Sequence, residues 1–294
     1  MIRLGVIGMS EGNGHPYSWS AIINFYDREA MENCPFPVIP RYLEKQSYPD
    51  DFIKGARVTH VWTQDPALSQ SIAAASKIDH IVSRYADMIG QVDAILLARD
   101  DWQNHETHAR VFLEAGLPVY IDKPLANSVR GAEALFALEQ YDGQIFSCSA
   151  LRYMRELEAW LPLASRIRAI RAQTVKSWET YGIHIVEPMV RLLFPFYKED
   201  SLSFKQSSKG ASTSLKLQWG PVDIEFLASG EAKGTITFEA VLDSGQVLAI
   251  TFSDTFYAFR SALQAFLDGI ATKILPIARA ETLTCMEIIA LGKD

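Results

Sequence analysis

Lys123 is the residue whose chemistry stands out first in the sequence. Residues 117–126 read Leu-Pro-Val-Tyr-Ile-Asp-Lys-Pro-Leu-Ala, so a short apolar run ends at Lys123 and Pro124. Such a run is typical of a buried parallel strand, and ligands of α/β sheets bind beyond the carboxyl ends of these strands. A lysine ammonium placed there favours negative charge that develops on a reacting oxygen. An ordinary strand exit with a solvated lysine fits the same residues.

His184 is the second candidate, because a histidine carries protons near neutral pH. The segment from Thr180 to Glu187 reads Thr-Tyr-Gly-Ile-His-Ile-Val-Glu, within a helix that the pattern predicts over about 180–193. On a helix Thr180, His184 and Glu187 are spaced i, i+4 and i+7 and share one face. Glu187 could orient the imidazole for catalysis, and a core histidine satisfied by Glu187 is the alternative.

A glycine-rich loop follows the first predicted strand, residues 2–7. Its glycines are Gly8, Gly12 and Gly14, and we expect a helix from Trp19 to about Tyr26, with Ser18 as its N-cap. Glycines between a strand and a helix let the backbone approach a pyrophosphate. The spacing departs from G-x-G-x-x-G, so both a nucleotide site and a plain turn remain open.

The end of the second predicted strand offers no clear ribose contact. An acidic residue normally occupies this place, and here the sequence has Thr63, with Asp65 two residues later. The sequence therefore favours neither NAD nor NADP.

Asn104 and His105 begin a predicted helix, 104–115, after the third strand. His105 and His108 are spaced i and i+3 and could bind a metal. Because no further ligand clusters beside them, we expect no metal here. A capping or cofactor-lining role for Asn104 and His105 is the preferred interpretation.

Composition limits the classes of protein to which the chain can belong. With 294 residues, 48% of them hydrophobic, it is long enough for two packed domains. A net charge of −7 argues against a nucleic-acid partner. No run of 18 apolar residues suggests a membrane span, and the first residues lack the features of a signal peptide. Three scattered cysteines fit reduced thiols. We therefore expect a cytoplasmic protein.

The order of predicted elements divides the chain in two. Up to residue 124, strands alternate with helices, which predicts right-handed βαβ units around a parallel sheet; the predicted strands are 2–7, 58–63, 92–98 and 119–121. From 125 to 294, a helix at 127–141 and a strand at 144–150 precede mainly period-two runs, typical of an antiparallel sheet with one solvated face; these lie at 166–178, 213–219, 222–227, 235–242 and 246–252. Helices at about 256–270 and 279–291 follow. The proline-rich segment 33–55 receives no role.

Taken in order, these motifs resemble the Gfo/Idh/MocA family of nucleotide-dependent oxidoreductases. Asp122-Lys123-Pro124 is similar to the family's Glu-Lys-Pro signature, with Asp for Glu. Gly182-Ile-His184-Ile-Val-Glu187 resembles its Asp-x-Gly-x-His-x-x-Asp helix, in which Glu187 replaces the last Asp and Thr180 the first. The strand 92–98 and the helix that carries His105 fit the same order.

The resemblance implies an α/β fold with two domains. Residues 1–124 would form a Rossmann domain with a doubly wound parallel sheet that binds NAD or NADP. Residues 125–294 would form a substrate-binding α/β domain with a large, mostly antiparallel open sheet, through which members commonly form homodimers or homotetramers. The C-terminal helices could pack back on the first domain. Substrates would be sugars, cyclitols, sugar nucleotides or similar polyols.

The resemblance also implies roles for individual residues. Lys123 would hydrogen-bond the reacting oxygen, His184 would carry the proton, and Thr180 would take the place of a catalytic carboxylate that it cannot replace as a base. The cofactor-binding set would be Gly8, Met9, Ser10, Gly12, Asn13, Gly14, Thr63, Ala98, Asn104, His105, Asp122, Lys123 and Pro124. Substrate contacts would come from Lys123, Arg152, Tyr153, Trp178, Tyr181 and His184. Redox-assisted glycoside cleavage or elimination, and a non-catalytic ligand-binding role, remain alternatives.

Overall fold

The computed structural model describes residues 1–198 and 201–293, which form two compact units. Unit 1 comprises Met1–Ala126, Glu133–Cys148 and Phe259–Ile277. Unit 2 comprises the remaining described residues. The sequence predicts a division after residue 124, with C-terminal helices that could pack back on the first domain. Two later segments belong to unit 1, and of these Glu133–Cys148 was not expected there. The reason lies in their packing: residues 145–146 extend the first sheet, and Phe266 packs against Tyr120 with ring centroids 5.6 Å apart.

Unit 1 is built on a six-stranded parallel sheet with the strand order β3-β2-β1-β4-β5-β6. This order is that of a doubly wound Rossmann sheet, so the predicted fold class is confirmed. The strands β1, β4, β5 and β6 contain buried apolar runs, whereas β2 alternates buried and partly exposed residues, and β3, which the sequence did not predict, is exposed. The strands are β1 (Ile2–Ile7), β2 (Ala56–Trp62), β3 (His80–Ile81), β4 (Ala94–Leu97), β5 (Val119–Ile121) and β6 (Ile145–Phe146).

The first helix begins earlier than the sequence predicts. It runs from His15 to Asn24, and its N-cap is Gly14. Ser18, the predicted N-cap, lies inside the helix, where its N–H donates to the carbonyl of Gly14 at 3.1 Å. Because proline is tolerated in the first turn, Pro16 belongs to the helix instead of ending the loop.

Further helices surround the first sheet. Two short ones, α2 (Arg28–Glu32) and α3 (Val38–Leu43), lie in or beside the proline-rich segment. The helices α4 (Pro66–Ala75) and α5 (His105–Glu114) follow β2 and β4, close to their predicted places. The helix α6 (Val129–Phe136) is shorter than the predicted 127–141, and the division between the units falls within it.

Unit 2 contains a second six-stranded sheet, with the order β12-β11-β7-β10-β9-β8. Only the pair β7 and β10 is parallel, so the prediction of a mostly antiparallel sheet is confirmed. One strand, β8, was not predicted, because its Ser- and Lys-rich sequence lacks an apolar alternation. The strands are β7 (Ile167–Thr174), β8 (Leu202–Lys209), β9 (Thr213–Trp219), β10 (Val222–Ala228), β11 (Thr237–Leu242) and β12 (Val247–Thr251).

The helix predicted over 180–193 is two helices, α7 (Trp178–Tyr181) and α8 (Ile183–Leu193). Gly182 joins them so tightly that a Cβ there would lie 2.7 Å from the carbonyl oxygen of Trp178. The predicted strand 144–150 ends at Phe146, and residues 150–166 form short 3₁₀ turns instead. Two long helices follow the second sheet, α9 (Thr255–Thr272) and α10 (Arg279–Leu291). In the part of the chain described, no helix has both the length and the apolar character of a membrane span.

Candidate functional site

Lys123 lies at the carboxyl end of β5, as predicted, but it is not a solvated strand exit. Only 9% of its surface is exposed, and its Nζ lies 3.4 Å from Oδ2 of Asp100. Asp100 follows β4, and its other oxygen, Oδ1, accepts a hydrogen bond from the hydroxyl of Ser10 in the glycine loop. The largely buried ammonium of Lys123 and its carboxylate partner therefore lie beside this loop.

Asp122 anchors the glycine loop to β5. Its carboxylate is 1% exposed and accepts a hydrogen bond of 2.8 Å from Nδ2 of Asn13, while Nδ1 of His15 lies 2.5 Å away. Burial alone would raise the pKa of Asp122, but the charges of His15 and Lys123 and these hydrogen bonds hold that pKa well below its usual range. Asp122 is therefore an ionised structural group, fully engaged with the protein.

Gln64 braces the start of the same loop. Its side-chain amide accepts from the N–H of Met9 at 3.0 Å and donates to the carbonyl of Met9 at 2.6 Å. The guanidinium of Arg99 donates to Oε1 of Gln64 at 3.1 Å and pairs with Asp101 at 2.6 Å. The backbone N–H and carbonyl of Met9 are thus both hydrogen-bonded within the protein.

The loop still fits the phosphates of a dinucleotide. Gly12 has a φ of +77°, and a Cβ built there would meet no atom within 4 Å, which leaves open space above the backbone. The ten-residue helix α1 (His15–Asn24) begins just beyond this loop, and its first turn contains no acidic residue that would oppose an anion at the positive end of the helix. Gly8 and Gly14 allow close packing instead: a Cβ would lie 2.4 Å from Pro16 and 2.8 Å from Phe36, respectively.

The polar groups at the end of β2 are engaged locally. The hydroxyl of Thr63 donates to the carbonyl of Asp65 at 2.6 Å, and its N–H donates to Ser69. Oδ1 of Asp65 caps α4 by accepting from the N–H of Ala67 at 2.9 Å. The carboxylate of Asp65 remains exposed at this corner of the sheet.

The remaining predicted cofactor residues are buried or hydrogen-bonded within the protein. His105 is fully buried, with Nδ1 3.0 Å from the carbonyl of Leu125 and Nε2 2.7 Å from that of Arg99. Asn104 donates to Asp101 at 2.6 Å, and Ala98 and Pro124 are buried. His105 is therefore not placed as a metal ligand, and the described residues contain no cluster of three potential metal ligands.

In unit 2, His184 lies near the start of α8 and is partly exposed. Its Nδ1 is 2.7 Å from the hydroxyl of Ser149, and its ring meets that of Tyr181 edge to face at 5.0 Å. Glu187, the expected orienting partner, instead accepts the backbone N–H of Ser149 at 2.9 Å. Ser149 thus connects these two side chains of α8.

Arg152 and Glu187 belong to a buried charge network with Glu281 of α10. Arg152 is 4% exposed and pairs directly with Glu281, while its Nη1 lies 3.9 Å from Glu187. Burial raises the pKa of Glu187 to about 7, and the charge of Arg152 and the N–H of Ser149 offset only part of that effect. Arg152 is thus a buried structural cation, not an exposed substrate contact.

Three further predicted site residues belong to α7. Trp178 is 1% exposed, and its indole N–H donates to the carbonyl of Ile289 at 2.9 Å, so in this structure it is a core residue. Thr180 is exposed, and its hydroxyl bonds with that of Ser177 at 3.0 Å, at the start of α7. Tyr181 is half-buried, and its hydroxyl accepts from Lys176.

Sequence reasoning missed four residues that contact parts of the candidate site: Ser149, Gln64, Asp100 and Arg99. It also predicted that Tyr153 contacts substrate. The guanidinium of Arg191 lies over the ring of Tyr153, 5.3 Å from its centroid. Gln64, Arg99 and Asp100 each follow a predicted strand at the edge where ligands bind, and this position was a usable signal. Ser149 carries no motif.

Comparisons with known proteins agree with this architecture. Residues 2–149 match the model of the Gfo/Idh/MocA family, described as an oxidoreductase family with an NAD-binding Rossmann fold. This match covers half of the chain, and the chain belongs to that family. A search of curated protein sequences finds no match. The family's first domain binds NAD, which agrees with the predicted cofactor, NAD or NADP.

Solved structures show the same fold over the whole chain. A Gfo/Idh/MocA family oxidoreductase from Vibrio cholerae is 16% identical, with a TM-score of 0.69 over 100% of this chain and 97% of that one. The scyllo-inositol dehydrogenase from Lactobacillus casei is 13% identical, with a TM-score of 0.73 and coverages of 100% and 95%. GenD2 from gentamicin A biosynthesis, solved with NAD, is 12% identical, with a TM-score of 0.73 and coverages of 99% and 93%.

Proposed function

We propose that the protein is a nicotinamide-dependent oxidoreductase. It transfers hydride between NAD or NADP and a secondary alcohol or ketone of a sugar, cyclitol or sugar-nucleotide-like substrate. The observation that carries this proposal is the position of Lys123. Its ammonium is largely buried at the carboxyl edge of the Rossmann sheet, paired with Asp100 and next to the glycine loop. A lysine that only ended a strand would not be kept desolvated at this place.

The chemistry of each residue supports its role. The bound cofactor would supply or accept the hydride. The ammonium of Lys123 would hydrogen-bond the reacting oxygen and stabilise negative charge on it, while its contact with Asp100 would orient the lysine. His184, held at Nδ1 by Ser149, would exchange the hydroxyl proton. Thr180 could donate or accept a hydrogen bond but could not act as a base.

A test of this proposal begins with binding. NADH and NADPH are titrated into the pure protein while tryptophan-excited fluorescence is recorded, and absence of binding at about 1 mM would contradict the proposal. Where binding is found, a panel of polyols and sugar nucleotides is followed at 340 nm, and net formation of NADH or NADPH is the expected result.

Variants then test Lys123. We expect Lys123→Ala to lower kcat by about 100- to 1000-fold while the dinucleotide still binds. Lys123→Met should behave alike, since it keeps the volume of the side chain without its charge. Lys54→Ala is the matched control, because Lys54 also pairs with an aspartate, at 3.5 Å, but on the surface. Retained turnover in both Lys123 variants would overturn the role of Lys123.

Assembly, location and substrate are further parts of the proposal. We propose a cytoplasmic homodimer or homotetramer that associates through the sheet of unit 2, by analogy with the family. The names of two similar structures, scyllo-inositol dehydrogenase and myo-inositol 2-dehydrogenase, make cyclitols the first substrates to test.

A non-catalytic, ligand-binding role is the second candidate. The exposed Thr180, bonded to Ser177 where the family has a carboxylate, favours it. Dinucleotide binding without turnover of any panel substrate would support this candidate over the first.

A further inference from the structure

Ser149 contacts the imidazole of His184 within hydrogen-bond distance. It is fully buried, and its Oγ lies 2.7 Å from Nδ1 of His184. The same oxygen accepts the N–H of Leu151 at 3.3 Å. No catalytic pattern in the sequence includes this serine, which precedes His184 by 35 residues.

Helix α8 holds Ser149 at two points. His184, on one turn of the helix, contacts the side chain of Ser149, and Glu187, on the next, accepts its backbone N–H at 2.9 Å. Glu187 is itself fixed by burial and by Arg152. The hydroxyl of Ser149 is therefore held in a defined position relative to the imidazole.

The hydrogen-bonding capacity of a hydroxyl matters at this position. Once Oγ of Ser149 has accepted from Leu151, it retains one hydrogen to donate and one lone pair. That lone pair can accept from Nδ1–H of His184 both in the neutral ring, whose Nε2 is then bare, and in the imidazolium, so the ring gains and loses its proton at Nε2.

We propose that Ser149 is a positioning residue that holds Nδ1 of His184 in both protonation states and thereby directs proton exchange to Nε2. This inference rests on the proposed function, in which His184 carries the proton. Glu187 then acts one step away, as the group that fixes the backbone of Ser149.

The other groups near this pair have contacts of their own. Tyr181 meets His184 through its ring, and the ammonium of Lys176 bonds to the hydroxyl of Tyr181 at 2.9 Å. The charges of Arg152 and Glu281 pair with each other. Glu187 contacts the backbone of Ser149.

The test reads the tautomer of His184 directly. Ring ¹⁵N chemical shifts are recorded by NMR on protein with ¹⁵N-labelled histidine, at a pH where the ring is neutral, with His184→Gln to assign the signals. In the unaltered protein we expect the Nδ1–H form, with Nδ1 donating to Ser149. In Ser149→Ala we expect the Nε2–H form to become populated. Ser177→Ala, which removes a serine hydroxyl elsewhere in unit 2, should match the unaltered protein.

Kinetics supply the second readout. We expect Ser149→Ala to lower kcat by about 10- to 100-fold with KM changed less than about twofold, because only proton transfer is affected. Ser149→Cys, which keeps the volume but hydrogen-bonds weakly, serves if the alanine variant does not fold. Identical ring shifts in the variant and the unaltered protein would overturn the inference. The NMR result decides this point even if no substrate is turned over, so its failure is distinct from failure of the proposed function.

Discussion

Asn13 and Asp122 form a buried contact that joins the glycine loop to the strand preceding Lys123. Nδ2 of Asn13 donates to Oδ2 of Asp122 at 2.8 Å, and the same carboxylate oxygen faces Nδ1 of His15. Oδ1 of Asp122 accepts the backbone N–H of Lys123 at 2.7 Å. One carboxylate therefore positions both the loop that would bind phosphates and the lysine that would bind substrate.

Replacing this carboxylate should destabilise the protein in a pH-dependent manner. We expect Asp122→Asn to lower the free energy of unfolding by about 3 kcal/mol at pH 7, because His15 and Lys123 lose a buried anion. The folded-state pKa of Asp122 lies below the unfolded value of about 3.9, so its stabilising contribution is complete above that value and is lost as pH falls below it. Urea unfolding at pH 3 to 7 should show the two proteins converging at the acid end.

The control for this variant is Asp93→Asn. Asp93 also has a lowered pKa from an ion pair, with Arg3, but that pair lies on the surface. We expect a loss of less than about 1 kcal/mol. A loss for Asp122→Asn no larger than that for Asp93→Asn would show that the buried contact does not stabilise the loop.

The Rossmann sheet and Lys123 could be predicted because local signals specify them. Buried parallel strands need continuous apolar runs, and 92–98 and 119–121 contain them. The pairing of Lys123 with Asp100 and of His184 with Ser149 could not be predicted, because folding brings these residues together across 23 and 35 positions of the chain. Trp178 shows the opposite error: an aromatic residue near a predicted site looks like a ligand contact until its burial is known.

Glu187 should make stability decrease with rising pH. Its folded-state pKa of about 7 exceeds the unfolded value of about 4.3, so the folded protein retains a proton that the unfolded chain releases. The contribution that favours folding is complete below about pH 4 and is lost as pH rises to about 7. The variant Glu187→Gln can still accept the N–H of Ser149. We expect its free energy of unfolding, relative to that of the unaltered protein, to rise by about 2 kcal/mol from pH 5 to pH 8. Urea unfolding at both values measures this.

The matched control is Glu231→Gln, at an exposed position of unit 2. Its free energy of unfolding should follow that of the unaltered protein at both pH values. If the difference in free energy of unfolding between Glu187→Gln and the unaltered protein were the same at both pH values, Glu187 would not be the buried group that takes up the proton.

Trp178 should affect stability and leave substrate binding unchanged. We expect Trp178→Phe to lower the free energy of unfolding by about 2 kcal/mol, because the carbonyl of Ile289 loses its donor and a gap opens beside Gly292. Tyr181→Phe removes only a hydroxyl at a half-buried position and should cost less than about 1 kcal/mol. Urea unfolding and KM are measured on both variants. A raised KM in Trp178→Phe without loss of stability would restore the substrate-binding role.

The corner at the end of β2 should favour NAD over NADP. Residues 63–70, Thr-Gln-Asp-Pro-Ala-Leu-Ser-Gln, contain no lysine or arginine to neutralise a 2′-phosphate, and the exposed carboxylate of Asp65 would repel one. We expect NADH to bind about 10- to 100-fold more tightly than NADPH in fluorescence titrations. Asp65→Ser should reduce this preference by about tenfold while it still caps α4, whereas Asp65→Ala should also cost about 1 kcal/mol of stability. Equal affinities of the unaltered protein for both dinucleotides would mean that the ribose lies away from Asp65.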